Sequence, residues 1–176
     1  MALTIRTYPD PVLRTPAERV ESIDDELREF ADAMVATLVK RVGYGLAAPQ
    51  VGVSRRVIVV DVEDDVHVLA NPEIVETGPD RASFTEGCLS IPGVEAEVER
   101  PYRAVIDGVT MDGESVRVEA DGLLARVFQH EIDHLDGVLF IDHLGRVKRR
   151  QLLKEYEKIQ NEEAPSPSDD STRVTA

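Results

Sequence analysis

The sequence predicts an α+β protein in which antiparallel strands and hairpins pack around a central helix, with a further helix near each end. Two observations lead to this class. Apolar residues recur at helical spacing over residues 22–40 and again over 122–135. Between these stretches lie short β-branched segments separated by turn residues, a pattern typical of strands linked by hairpins.

The N-terminal helix is predicted to begin near Ser22, because Ser22-Ile-Asp-Asp25 resembles a capping box. Apolar residues then follow at helical spacing as far as Lys40: Ile23, Leu27, Phe30, Met34 and Leu38. Residues 43–50 contain two glycines and a proline. We expect them to form a loop with unusual backbone angles.

Strands are predicted in the middle of the chain at residues 55–62, 67–70, 74–77, 96–99, 103–109 and 115–119. The pair Asp112-Gly113 is a short-hairpin signal, so the last two strands are expected to be antiparallel neighbours. The central helix is predicted over 122–135, with Asp121 as a possible cap and Gly137 ending it. A charged helix is expected from about Val147 to Gln160, followed by a disordered polar tail, residues 161–176.

The composition narrows the function classes. A formal charge of −14 argues against a nucleic-acid-binding surface spread over the whole protein. Residues 145–158 are the exception, with six basic residues against two acidic ones. Cys88 is the single cysteine, which fits a reducing compartment. No apolar run approaches the roughly 18 residues of a membrane helix, and no export signal is evident, so a soluble cytoplasmic protein is expected.

The segment Gln129-His-Glu-Ile-Asp-His134 contains His-Glu-x-x-His. Residues four apart share one face of a helix, so His130 and His134 can present their imidazoles to one metal ion. Glu131 then lies beside the ion, where it can exchange protons with water. Two histidines cannot hold a metal alone, and the third ligand separates the possible functions.

Several third ligands are open on spacing alone. One protease pattern needs a histidine where this chain has Phe140, which cannot bind a metal. Glu155 lies close to the position that a second, zinc peptidase pattern requires. Cys88 is the remaining candidate, since a thiolate with two imidazoles suits a catalytic site. Two further possibilities are a structural metal closed by His67 or His143 and a cysteine hydrolase that uses a Cys88–His pair.

Three segments, residues 43–50, Glu86-Gly-Cys-Leu-Ser90 and Gln129–His134, resemble in this order the signature motifs of bacterial peptide deformylases. Tyr8-Pro-Asp-Pro-Val-Leu13 is similar to that family's N-terminal segment. The resemblance implies one catalytic deformylase domain over residues 1–160. It also implies the activity: a metal-bound water or hydroxide attacks the formyl carbonyl of an N-terminal formylmethionine, and formate is released.

The resemblance further implies the site residues. Cys88, His130 and His134 would bind the ion, usually ferrous iron, with zinc, nickel or cobalt able to replace it. Glu131 would be the general base and acid. The Gln50 amide and the Leu89 backbone N–H would stabilise the oxyanion.

The same resemblance implies how substrate is bound. The Gly45 backbone would pair with an extended peptide, and Val127, with Leu123, would line the methionine pocket unless they are ordinary core residues. Tyr44 replaces a commonly smaller residue, Arg126 is expected near the pocket mouth where many relatives are apolar, and residues 93–97 are acidic where some carry arginine. The partners implied are formylmethionyl nascent peptides, and the ribosome through the basic C-terminal helix.

Overall fold

A computed structural model of the chain describes residues 3–163. Three α-helices and seven strands make up the described part: α1 (Asp25–Arg41), β1 (Gly45–Ala47), β2 (Val57–Val62), β3 (Asp65–Thr77), β4 (Arg81–Cys88), β5 (Ile91–Pro101), β6 (Arg103–Val109), β7 (Ser115–Asp121), α2 (Gly122–Leu135) and α3 (Arg146–Glu162). Single 3-10 turns lie at Pro11–Arg14, Ala48–Val51 and Phe140–His143. The predicted α+β class is confirmed.

The strands form two separate antiparallel sheets. Five strands are ordered β1-β2-β3-β6-β7, and β4 pairs with β5 in a two-stranded hairpin. The predicted hairpin of the last two strands is confirmed as β6–β7. Because no ladder of backbone hydrogen bonds joins the hairpin to the larger sheet in the described chain, side chains determine how the two sheets meet.

The five-stranded sheet is buried on both faces, with α1 on one side and α2 on the other. Alternate residues of β2 point in opposite directions. Ile58 and Val60 join Val127 and Phe128 of α2, whereas Val57 and Val59 join Leu27, Met34 and Leu38 of α1. This explains the continuous apolar run of β2, since a strand covered on both faces has no side for polar residues.

The first helix begins later than the sequence suggested. Asp24, not Ser22, is its N-cap, and the Asp24 carboxylate accepts a hydrogen bond from the Leu27 N–H at 2.8 Å. Residues 43–50 are not simply a loop, because β1 and a 3-10 turn occupy most of the segment. The short strand forms because Gly45, Leu46 and Ala47 pair with β2 and are fully covered.

Two predicted strands, 67–70 and 74–77, are parts of one strand, β3, with an irregularity between Ala70 and Glu73. Asn71 lies there with a positive φ of 49°, and its side-chain amide bonds both the N–H and the carbonyl of Val20. The local bulge therefore anchors the N-terminal segment. Strand β4 was not predicted at all, and β5 is longer than the predicted segment 96–99.

The central helix has the predicted bounds, 122–135, although the Asp121 side chain makes no capping hydrogen bond. Gly137 follows with φ of 74°, and a Cβ at this position would lie 2.7 Å from the Arg14 carbonyl oxygen. Helix α3 continues to Glu162, so residues 161 and 162 are helical rather than part of a tail. The remainder of the predicted tail, residues 164–176, lies outside the described residues. Within the described part, no helix is long and apolar enough to cross a membrane.

Candidate metal centre

Three side chains that the sequence suggested as metal ligands lie together in the interior. Cys88 ends strand β4, and His130 and His134 lie one turn apart on α2. Their ligand atoms are all within 4.8 Å of one another, and the Cys88 Sγ is 3.4 Å from His134 Nε2. Each of the three residues is about 1% exposed. In residues 3–163 this is the one group of three or more such side chains with metal-binding geometry, and Glu155, His67 and His143 lie outside it.

The sulfur of Cys88 is surrounded by hydrogen-bond donors. Burial raises the pKa of the thiol strongly, while backbone hydrogen bonds from Ser90 and Ile91 act in the opposite direction. The Gln50 Nε2 also donates to Sγ at 3.6 Å. Such donors stabilise a thiolate over a thiol, which favours the form that binds metals.

Glu86 holds the ring of His130 in place. The Glu86 carboxylate accepts a hydrogen bond from His130 Nδ1 at 2.9 Å, and both groups are buried. A carboxylate can only accept, so Nδ1 carries the proton and the lone pair of Nε2 is left available. This is the usual way in which a metal-ligating histidine is oriented.

Two arginines complete the surroundings of Glu86. Arg100 donates through Nε to Oε2 at 2.7 Å and through Nη2 to Oε1 at 3.0 Å, and Arg126 Nη1 also donates to Oε2. Burial alone raises the pKa of Glu86, but the hydrogen bonds from His130 and Arg100 outweigh it, and the net pKa lies below the usual range. Glu86 is therefore a buried, charged carboxylate.

Glu131 has the opposite environment. It is fully buried, and neither of its carboxylate oxygens has a hydrogen-bond partner within residues 3–163. Burial raises the pKa of Glu131 well above its usual value, and the nearby negative charge of Glu86 raises it further. A buried polar group without a partner is costly, so it is expected where a substrate or water molecule is bound.

Gly45 packs directly against this glutamate. A Cβ on Gly45 would lie 2.7 Å from Glu131 Oε2 and 2.8 Å from Val127 Cγ1. Such distances are shorter than any relaxed contact allows. Glycine is therefore required at this position so that β1 can approach α2.

The other residues suggested by the sequence are distributed around the same region. Gln50 is fully buried; its Oε1 accepts from the Ala47 N–H at 2.9 Å, and its Nε2 also donates to Ser90 at 3.2 Å. Leu89 directly follows Cys88, with its side chain in the core. Tyr44 is partly buried, Val127 is fully buried in the core, and Leu123 is 41% exposed on α2.

The expectation that Arg126 faces a pocket mouth is wrong. Arg126 is only 4% exposed, and its guanidinium is turned toward the β4–β5 hairpin, where it also bonds the Val98 and Ala82 carbonyls. Because Glu86 supplies a buried negative charge on that side, the guanidinium is drawn inward. The exposed ring of Phe84 covers it, with 5.2 Å between the guanidinium carbon and the ring centroid.

Sequence reasoning missed the roles of Glu86, Arg100 and Asp133. Glu86 was part of a recognised motif, but its contacts reach 14 residues to Arg100 and 44 residues to His130. Arg100 also bonds Asp133 at 2.9 Å, and Asp133 in turn bonds His143 at 2.8 Å. Local spacing carries no signal for pairs this far apart.

These residues fit a bound metal ion. One thiol sulfur and two imidazole nitrogens are a donor set that catalytic divalent ions accept, and the partnerless Glu131 is adjacent to it in the chain. An α+β fold that carries this arrangement on a His-Glu-x-x-His helix defines a class of protein, the metal-dependent hydrolases.

Comparison with known proteins identifies the family within this class. Residues 2–150 match the family model described as polypeptide deformylase. A peptide deformylase of Chromohalobacter salexigens is 50% identical over 159 residues, 89% of this chain and 94% of that protein. The crystal structure of a peptide deformylase from Legionella pneumophila matches with a TM-score of 0.89 at 37% identity, covering 95% of this chain and 100% of that chain. A peptide deformylase of Synechococcus elongatus in complex with actinonin gives a TM-score of 0.84 at 46% identity, covering 88% and 86%.

The chain therefore belongs to the polypeptide deformylase family. Enzymes of this family remove the formyl group from the N-terminal formylmethionine of new polypeptides in a metal-dependent reaction. The resemblance that the three sequence motifs indicated is thus confirmed, as is the assignment of the chain as an enzyme.

Replacing Gly45 by alanine tests the contact between β1 and the glutamate. The added methyl group must push Glu131 and Val127 away, so we expect kcat for deformylation to fall about 10- to 100-fold, as small displacements of catalytic groups do. Metal content should not change, because the substitution touches none of the three donors. The measurements are formate release from formyl-Met-Ala-Ser and metal analysis of the purified protein.

Gly145→Ala is the matched control, since a Cβ there meets no atom within 4 Å. It should behave as wild type. A Gly45→Ala variant with normal kcat would contradict the proposed closeness of Gly45 and Glu131.

Proposed function

We propose that Cys88, His130 and His134 bind one divalent metal ion and that Glu131 is the general base and acid for hydrolysis of the N-formyl group. The observation that supports this most directly is the buried group of three donors beside a glutamate without a hydrogen-bond partner in the described chain. The ion that we propose is ferrous iron, on the family resemblance, with zinc, nickel or cobalt able to take its place. A divalent ion in such a site lowers the pKa of water and polarises a carbonyl oxygen.

Glu131 would move the proton. Its burial and the negative charge of Glu86 give it a raised pKa, so its carboxyl group holds a proton more readily than an exposed glutamate. A group that accepts a proton from the attacking water and returns it to the departing amine needs such a tuned pKa. The absence of competing hydrogen bonds in the described chain leaves both carboxylate oxygens available for this transfer.

Gln50 and Leu89 would stabilise the negative charge that develops on the formyl oxygen. The Gln50 amide reaches the Cys88 sulfur, and the Leu89 N–H belongs to the next residue in the chain, so both lie beside the proposed ion. Gln50 is held by its Oε1 bond to the Ala47 N–H, which limits its rotation. Donors held in advance stabilise a transition state at little reorganisation cost.

Substrate binding is proposed along β1. This strand is at one edge of the five-stranded sheet, so its outer side can pair with an added peptide strand near Gly45. Backbone pairing suits an enzyme that accepts many different residues after the first. Tyr44 and Val127 would contact the formylmethionine, in keeping with their position next to Gly45 and against it.

Glu131→Gln is the main test. The amide has nearly the same shape as the carboxyl group but cannot accept and return the proton, so we expect a loss of roughly 10² to 10⁴ in kcat. The metal should be retained, since Glu131 is not among the three donors. Formate release and metal analysis under anaerobic conditions with ferrous iron measure the two effects.

Glu157→Gln, on the exposed side of α3, is the control for loss of one carboxylate. Full activity of Glu131→Gln would refute the proton transfer that we propose. Loss of its metal would instead identify Glu131 as a ligand.

Replacing Gln50 separates its two hydrogen-bonding roles. Gln50→Ala removes both, and Gln50→Glu keeps the acceptor for the Ala47 N–H while losing the donors. If the amide donates to the oxyanion, both variants should lose about 10² to 10³ in kcat, the usual cost of one such donor. Steady-state formate release measures this. Activity retained in Gln50→Glu but lost in Gln50→Ala would show that the residue only supports the backbone.

The cellular setting follows from the substrate. Formylmethionyl nascent peptides are made on ribosomes, so we propose that the protein works in the cytoplasm near the ribosome. The side chains of Lys148, Arg150, Lys154 and Lys158 are exposed on α3. They give this helix a local positive charge in a protein of formal charge −14, and a polyanion such as ribosomal RNA attracts such a surface.

Charge reversal on α3 tests ribosome binding. Lys148→Glu with Arg150→Glu is preferable to changing Arg149, which is 3.5 Å from Asp142 in an ion pair. We expect weaker co-sedimentation with ribosomes, most clearly at low salt, and unchanged hydrolysis of a short formyl peptide. Undiminished co-sedimentation would rule out this helix as the contact.

A further inference from the structure

The proposed metal ligands come from two parts of the molecule that share no backbone ladder. Cys88 ends strand β4 of the β4–β5 hairpin, whereas His130 and His134 belong to α2. The distance between the sulfur and the two imidazoles therefore depends on side chains that join hairpin and helix. A metal site requires its donors at closely defined separations.

Arg126 is one of these joining side chains. It lies on α2, one turn before His130, and every acceptor recorded for its guanidinium belongs to the hairpin. Its Nη1 donates to Glu86 Oε2 and to the Val98 carbonyl at 2.9 Å, and its Nη2 donates to the Ala82 carbonyl at 2.7 Å. A planar guanidinium with several donors is suited to hold three acceptors in a defined arrangement.

Arg100 makes the reverse connection. It starts from β5 and reaches Asp133 on α2, and it also bonds both oxygens of Glu86. The two arginines therefore cross between hairpin and helix in opposite directions. Arg126 differs from Arg100 in that it also binds the backbone of both hairpin strands.

Glu86 transmits this arrangement to the metal ligand. One carboxylate oxygen, Oε1, accepts from His130 and Arg100, and the other, Oε2, accepts from Arg100 and Arg126. A rotation of the carboxylate would break the hydrogen bond to His130 Nδ1. Arg126 opposes that rotation from the helix side.

We infer that Arg126 is a positioning residue for the metal centre: it holds the Cys88 hairpin against the histidine helix and orients His130 through Glu86. The inference rests on the proposed function, because it takes Cys88, His130 and His134 as the ligands. Arg126 touches neither the donors nor the ion, and its effect is on where the donors lie.

Folding stability alone does not explain a buried arginine here. Well-packed apolar residues often replace buried ion pairs without loss of stability. Three polar contacts from a single side chain provide directional constraint, which an apolar residue of similar length does not. Metal affinity is the property that depends on such constraint, and the loss of a partner that orients a ligand typically weakens it by about 10 to 100 times.

The test compares Arg126→Met and Arg126→Lys with Arg28→Met. Arg28 is a matched control because it also bonds one carboxylate, that of Asp25, and two backbone carbonyls, those of Met111 and Ile23, far from the metal site in the chain. Apoproteins are titrated with Co²⁺ in the presence of a competing chelator, and the thiolate-to-cobalt absorption band reports Cys88 ligation. Thermal unfolding of each apoprotein, and kcat and KM at saturating Co²⁺, are measured alongside.

We expect Arg126→Met to bind Co²⁺ about 10 to 100 times more weakly than wild type, while Arg28→Met stays within about twofold. KM for formyl-Met-Ala-Ser at saturating Co²⁺ should change little, since Arg126 is covered by Phe84 and the hairpin. Arg126→Lys keeps the charge but cannot span three acceptors, so its affinity should fall between these values. If Arg126→Met does not fold, the lysine variant alone decides.

Wild-type Co²⁺ affinity in either folded Arg126 variant, with only a lower unfolding temperature, would overturn the inference and leave Arg126 a structural residue. A wild-type protein that binds Co²⁺ without the thiolate band would be a different failure. It would refute the proposed ligand set, and the inference with it.

Discussion

The buried carboxylate of Glu86 is the interaction on which the centre of this molecule depends. An ionised group without water is costly unless charges and hydrogen bonds compensate it. Here Arg100, Arg126 and His130 together supply donors to both oxygens. Those partners belong to β5 and α2, so satisfying one carboxylate also brings together the hairpin that carries Cys88 and the helix that carries the histidines.

The elements that the sequence predicted correctly are those in which the determining contacts are local. Helix α2 has the predicted bounds because its apolar face repeats every three or four residues, and the pair His130 and His134 needs only helical spacing. The β6–β7 hairpin was recognisable from a turn at Gly113, whose φ is 83°. Family motifs then brought Cys88 to this site, which spacing alone had left open among several ligands.

Strand β4 was missed because its pattern is inverted. Phe84 is 53% exposed and Glu86 is fully buried, the reverse of what hydrophobicity suggests for a half-buried strand. The inversion has a cause in distant residues, since Phe84 covers Arg126 and Glu86 binds both arginines and His130. In the same way, residues 43–50 looked like a loop because Gly45 signals flexibility, whereas that glycine serves close packing against Glu131.

Two buried glutamates in this centre thus have opposite properties, and one contributes to the other. Glu86, with donors on both oxygens, keeps its charge, and its pKa is lowered. Glu131 has no such partners in the described chain; burial raises its pKa, and the negative charge of Glu86 raises it further, against a smaller effect of Arg100. The carboxylate that orients a metal ligand therefore also favours the protonated form of the neighbouring acid. Environments that separate the pKa values of two carboxyl groups are how one site obtains both a permanent charge and a group that exchanges protons.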